Sequence, residues 1–155
     1  MQFTTREDIE APIDFVFGVL SDFEGLQRQA MRRGAEVSRC DSLSAPGPGM
    51  MWDVAFPFRG KRREMRVEMV EFTPQSRLLF DSRVTGMEGV MSAELLALSR
   101  GRTRLDLTIE LKPKSLSAKL LLQSMKLARS SLNKRFKVRV AEFAKATEDR
   151  YQRTA

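Results

Sequence analysis

Residues 103–147 read TRLDLTIELKPKSLSAKLLLQSMKLARSSLNKRFKVRVAEFAKAT, and a change of rhythm inside them decides the fold. Thr103, Leu105, Leu107, Ile109 and Leu111 alternate with Arg104, Asp106, Thr108 and Glu110, the period of a strand with one buried face. Lys112-Pro113 ends that alternation, and Ser115 stands where a helix N-cap belongs. Leu121, Met125, Ala128, Leu132, Phe136, Val140, Phe143 and Thr147 then recur in steps of three and four. That spacing predicts one face of a single helix of about nine turns. Lys119, Lys126, Asn133 and Lys137 fall on the opposite side. Leu116, Leu120 and Leu127 add a second stripe, so the first half of the helix is apolar over a wider arc.

Charge follows the same division. Residues 111–155 hold 12 basic and three acidic side chains, a net of +9, whereas residues 1–110 come to −2. The whole net charge of +7 therefore sits on the C-terminal segment, and no Asp or Glu occurs from Leu111 to Ala141.

Upstream of the helix the period is two. Met50–Phe58, Arg62–Phe72, Leu78–Thr85, Val90–Ser99 and Thr103–Leu111 read as strands. Turns at Arg59-Gly-Lys61, Thr73-Pro-Gln75, Gly86-Met-Glu-Gly89 and Arg100-Gly101 separate them. Short strands joined by tight turns predict an antiparallel meander. Nearer the start, Gln2–Glu10 alternates as a first strand and Ala11-Pro12 breaks it. Phe15, Val16, Val19 and Leu20 form a helical stripe behind Pro12, which suits a first helical turn. Ser21-Asp22 caps a second short helix that ends near Gly34. Val37–Asp41 is a weak strand, and the Pro/Gly-rich run Ser42–Gly49 is a loop.

Composition narrows the chemistry. A chain of 155 residues predicts one domain over 1–155, able to bury about two-thirds of its surface. The 42% apolar and 30% charged fractions are those of a soluble globular protein. No apolar run approaches the roughly 20 residues of a membrane span, and the N-terminus lacks a signal-peptide pattern. Cys40 is alone, which fits a reducing, cytoplasmic setting. There is no histidine. That removes Ser-His-Asp and Cys-His nucleophiles and His-ligated metal sites. No metal site, metal cofactor or organic cofactor is expected, because no Asp-rich loop or phosphate-binding Gly pattern accompanies the missing histidines.

The order of pieces carries a resemblance. A strand is followed by Ile9-Glu-Ala-Pro-Ile-Asp-Phe-Val-Phe-Gly-Val-Leu-Ser-Asp22. Gly49 and Trp52 open the third strand, Val70, Phe72, Pro74, Leu78 and Phe80 surround a turn, and Gly101-Arg-Thr103 makes the last hairpin before a long helix. Over nearly the whole chain this resembles the START-related helix-grip (SRPBCC) superfamily of polyketide cyclases, lipid-transfer START domains and pollen-allergen-like proteins. The resemblance implies an α+β fold. A seven-stranded antiparallel sheet would wrap around a long C-terminal helix, with two short helices after the first strand and a cavity between sheet and helix. It implies binding of apolar or aromatic small molecules and, in some members, aldol cyclisation or dehydration. The superfamily shares no catalytic motif, so no catalytic residue carries over. The basic, acid-free helix departs from the superfamily pattern.

Four groups of residues and the single tyrosine are candidates for function. Trp52, Phe56, Met65, Met69, Phe80, Met91 and Met125 fall on the helix-facing side of the predicted sheet and helix. They line an adaptable apolar cavity or, on the plainer reading, fill the core. Glu94 depends on register. A two-residue turn at Arg100-Gly101 points it inward, where desolvation would raise its pKa and suit acid–base work. A three-residue turn points Met91, Ala93 and Leu95 inward and Glu94 out. Glu7 has the same ambiguity. The hairpin residues Arg59, Lys61, Arg62, Arg63 and Arg66 hold a phosphate or headgroup, or are merely a solvated tip. Lys134, Arg135 and Lys137 face an anionic membrane, RNA or protein partner, or only keep the helix back soluble. Tyr151, the only tyrosine, either reaches a ligand or lies at a frayed end. Three functions follow: a carrier of a hydrophobic or amphipathic small molecule, a cyclase or dehydratase using a pocket carboxylate, and a basic interaction protein.

Overall fold

The computed structural model describes residues 1–154. Seven strands form one antiparallel sheet: β1 (Gln2–Ile9), β2 (Glu36–Arg39), β3 (Met51–Phe58), β4 (Lys61–Thr73), β5 (Arg77–Val84), β6 (Met87–Ser99) and β7 (Arg102–Pro113). Their order across the sheet is β1-β7-β6-β5-β4-β3-β2. The consecutive hairpins from β2 to β7 are the meander that the period-two segments predict. Between β1 and β2, at opposite edges, run α1 (Ile13–Leu20) and α2 (Phe23–Arg32). The chain ends in α3 (Leu116–Leu127) and α4 (Arg129–Thr154). This is the seven-stranded α+β helix-grip fold.

Local chemistry places the boundaries. The Asp22 carboxylate accepts the Gly25 N–H at 3.1 Å and the Ser115 hydroxyl accepts the Ala118 N–H at 3.1 Å, so both predicted N-caps form. The β3–β4 turn needs only two residues. Arg59 (φ 51°) and Gly60 (φ 75°) both adopt the left-handed conformation of a type I′ hairpin, and β4 begins at Lys61.

The C-terminal segment is two helices, not the single nine-turn helix that the spacing predicts. It breaks at Ala128 (φ −104°, ψ 16°), where no Pro or Gly stands. The cause is tertiary. α3 packs against β7 at the open end of the sheet, whereas α4 lies along β1 and α1. Val140, Ala144 and Thr147 of α4 are buried there, with Leu132, Phe136 and Phe143 half-buried beside them.

The core is solid at the α4 end. Ile9, Ala11, Val16, Phe17, Leu78, Ala93, Leu95 and Leu105 pack with Val140 and Ala144. Burying a side chain of Leu or Ile size contributes about 1.5–3 kcal/mol. Thr103 is buried among them and donates from Oγ1 to the Ala11 carbonyl at 2.8 Å, fixing the exit from β1. Tyr151 is not at a frayed end: its ring meets Phe15 edge-on at 5.1 Å within α4.

Candidate ligand site

A cavity of about 490 Å³ opens between the sheet and α3, at the end away from the packed core. Phe56 and Phe58 of β3, Met65 of β4, Val84 of β5, Met87 of β6 and Leu111 of β7 supply its apolar sheet wall. Ala118, Leu121 and Met125 of α3 form the roof, and Ser82, Thr85 and Ser117 add hydroxyls. Gly89 belongs to the floor. A Cβ there would come within 2.6 Å of Ser82 Oγ, so a larger residue would have to displace the Ser82 hydroxyl from its hydrogen bond to the Gly89 carbonyl.

Strand parity explains which side chains enter. Phe56 pairs with Arg63, Val54 with Met65 and Met65 with Val84, so these residues share the inner face. The same parity brings Lys61 and Arg63 inward. Among the described residues they are the only charged ones lining the cavity, with no carboxylate beside them. Arg63 Nε donates to the Phe58 carbonyl at 3.4 Å. Neighbouring Arg62 points outward and pairs with Glu36 and Glu64, whereas Lys61 and Arg63 have no carboxylate partner among the described residues. The alternation with Met65 was the available signal for these two inward cations, and a reading of the hairpin as one basic tip hides it.

The seven apolar candidates separate. Phe56, Met65 and Met125 line the cavity. Trp52, Met69 and Phe80 lie on the same inner face but farther along it, in packing. Met69 is fully buried with Met50 and Trp52. Phe23 from α2 stands 5.6 Å from Trp52 and 6.3 Å from Phe80, ring centre to ring centre, and Trp52 stands 6.2 Å from Phe80. This aromatic triad plugs the sheet beside the cavity. Met91 sits between Phe80 and Ile109, also outside the cavity lining.

Neither carboxylate candidate reaches the cavity. Glu94 is exposed on the outer face, 3.6 Å from an Arg77 nitrogen. Both register readings hold a part of the reason. The turn is the two-residue Arg100-Gly101, since Ser99 pairs with Arg102, but a β-bulge between Ala97 and Ser99 takes up one residue. Ala93 and Leu95 therefore turn inward and Glu94 outward. Glu7 does lie on the inner face, opposite Leu105, yet on edge strand β1 near Lys137 of α4 and away from the cavity.

A wider hollow of about 660 Å³ on the outer face is lined by Asp53, Arg66 and Arg83, but it is open and its Asp53–Arg66 pair is closed at 2.9 Å. The Arg66 guanidinium holds the Asp53 carboxyl below the usual carboxylate range. Burial, then the Asp53 charge, pushes the exposed-edge Cys40 thiol up, so it stays protonated at neutral pH. Among the described residues no three His, Cys, Asp or Glu side chains cluster as metal ligands. Lys134, Arg135 and Lys137 are all exposed on the back of α4. No helix among the described residues is long and apolar enough to cross a membrane.

A family model described as "Polyketide cyclase / dehydrase and lipid transport" matches residues 1–148. Solved structures share the fold at low identity. The Zhui aromatase/cyclase from Streptomyces sp. R1128 superposes with a TM-score of 0.65 at 15% identity, over 99% of this chain and 94% of that one. A protein from Thermus thermophilus gives 0.67 at 19% identity, over 100% and 99%. Norcoclaurine synthase from Thalictrum flavum gives 0.60 at 13%, over 79% and 75%. No curated protein matches the sequence.

Proposed function

We propose that this chain, which belongs to the polyketide cyclase/dehydrase and lipid transport family, binds an apolar small molecule with an acidic end group beneath α3. The observation that carries the reading is the lining of the 490 Å³ cavity: an apolar wall on which Lys61 and Arg63 are the only charges among the described residues. A volume in that range suits a ligand of drug-like size. An apolar body would be held by Phe56, Met65, Val84 and Met125. A carboxylate, sulfonate or phosphate would meet the two cations, and a fork-shaped guanidinium can bind such a group through two hydrogen bonds. A cation left half-buried without a partner costs stability, and an anionic ligand would relieve that cost.

The cyclase or dehydratase reading with a pocket carboxylate lacks its residue, since neither Glu94 nor Glu7 lines the cavity. Binding and carriage is the function that the lining favours.

Fluorescence titration with a naphthalene sulfonate dye and its uncharged naphthylamine counterpart tests the reading. The anionic dye should bind saturably and at least about tenfold tighter, near 1.4 kcal/mol, the low end for a charge-assisted hydrogen bond. Arg63→Met should bring the two dyes together, and Met65→Trp should weaken both by filling the cavity. Equal affinity for the two dyes would sink the acidic-end assignment. No saturable binding of either would sink the cavity itself.

A further inference from the structure

The outer side of α3 carries leucine where a solvated helix carries charge. Leu116, Leu120 and Leu127 are 75, 58 and 92% exposed. Their spacing in steps of four and seven, with Gln123 between, puts them on one stripe along the helix. The buried side of the same helix holds Ala118 and Leu122, so the leucines are surplus to its packing on the sheet.

Cations surround the stripe. Lys119 and Lys126 flank it on α3, and Lys112, Lys114 and Arg129 stand at its two ends, with no acidic residue from Leu111 to Ala141. Lys114 Nζ stands 3.8 Å from the Glu88 carboxylate of β6. Arg59, from the β3–β4 hairpin, donates to Ser124 of α3. α3 thus presents the leucine stripe on its outer side while Ala118, Leu121 and Met125 roof the cavity.

We propose that this face of α3 docks on an anionic lipid bilayer, with the leucines entering the headgroup–acyl boundary and the lysines meeting the lipid phosphates. An exposed leucine row with basic flanks is the pattern of a helix lying in the membrane interface. Charge decides against the other occupants. A second copy would set these lysines against their own equivalents, and a nucleic acid would use the cations but leave the leucines in water. The proposal stands apart from the ligand reading. It also moves the basic contact away from Lys134, Arg135 and Lys137, whose stretch of α4 offers only Val138, 47% exposed, as an outward large apolar group.

Co-sedimentation tests it, using vesicles of equal parts phosphatidylcholine and phosphatidylglycerol beside vesicles of phosphatidylcholine alone. The native protein should sediment with the anionic vesicles, at least about tenfold better than with neutral ones, and release as salt rises. The triple variant Leu116→Gln, Leu120→Gln, Leu127→Gln should lose about tenfold or more in partitioning. These side chains are exposed, so its unfolding midpoint should not fall. Lys119→Glu with Lys126→Glu should lose as much by the electrostatic route and serves as the second variant. Lys134→Glu, Arg135→Glu, Lys137→Glu should stay within about threefold of native, because those groups lie on another helix. Met65→Trp, which fills the cavity, should leave sedimentation unchanged, so failure of the ligand reading would leave this result standing. A native protein that stays in solution at low salt overturns the proposal, even if α3 captures an acidic protein instead. Leucine variants that sediment like native also overturn it.

Discussion

Arg59 donates a hydrogen bond to Ser124, and so ties the tip of the β3–β4 hairpin to the helix that roofs the cavity. Its guanidinium also sits 5.6 Å from the ring centre of Phe58, which lines the cavity below. The backbone at Arg59 is left-handed, a conformation in which most side chains are disfavoured and Asn is tolerated. The tether therefore spans the mouth between hairpin and α3.

Arg59→Asn keeps the turn and removes the tether. Dissociation of the naphthalene sulfonate dye, followed by stopped-flow dilution, should speed up several-fold. Stability in urea should change by less than about 1 kcal/mol, because the lost contact is exposed. An unchanged dissociation rate would mean that the ligand leaves by another route.

Glu94→Gln should change neither dye affinity nor stability by more than about 1 kcal/mol, since its partner Arg77 is a surface contact at 3.6 Å. A large loss of dye binding would show that the outer face of β6 takes part in function, contrary to the lining of the cavity.

The case of Glu94 marks where sequence reading stops. Period-two alternation made β1 and the meander from β3 to β7 legible and put Trp52, Met65, Met69 and Phe80 on one face. It could not place a β-bulge, because Leu95-Leu96-Ala97-Leu98 is apolar at every position and shows no change of phase where the extra residue enters. The break at Ala128 was hidden for a similar reason. Lys126-Leu-Ala-Arg-Ser-Ser131 contains no helix breaker, and the interruption follows from α3 and α4 meeting different strands. Which inner-face residues border empty space and which border Phe23 is set by where α2 lands, and that depends on packing distant in sequence.

Leu105 and Phe136 give graded tests of the core. Leu105 is 1% exposed between β1 and β6, and Leu105→Ala should cost about 3–5 kcal/mol. Phe136 is half-buried and stacks at a tilt 6.2 Å from Phe3, so Phe136→Ala should cost less, about 1.5–3 kcal/mol. Urea denaturation at constant slope measures both. A Phe136→Ala cost below about 0.5 kcal/mol would mean that α4 does not seat this face on β1.

Asp41 links the fold to pH. Its carboxylate accepts from Arg39 Nε and Nη2 and from the Leu43 and Met51 N–H groups, each at 2.9 Å, anchoring the 42–50 loop to β3. The Arg39 hydrogen bonds first, then that from Met51, hold its pKa well below the ordinary 3.8. The unfolded chain therefore takes up this proton before the folded one does as pH falls. The contribution of Asp41 to stability is complete above the ordinary carboxylate value and is lost progressively below it. Asp41→Asn should lower the denaturation midpoint at pH 7, and the gap from the native protein should narrow steadily as pH drops below about 4. Denaturation series at several pH values between about 7 and 3 would check this. A gap that stays constant across that range would show that the four hydrogen bonds do not depend on the charge of Asp41.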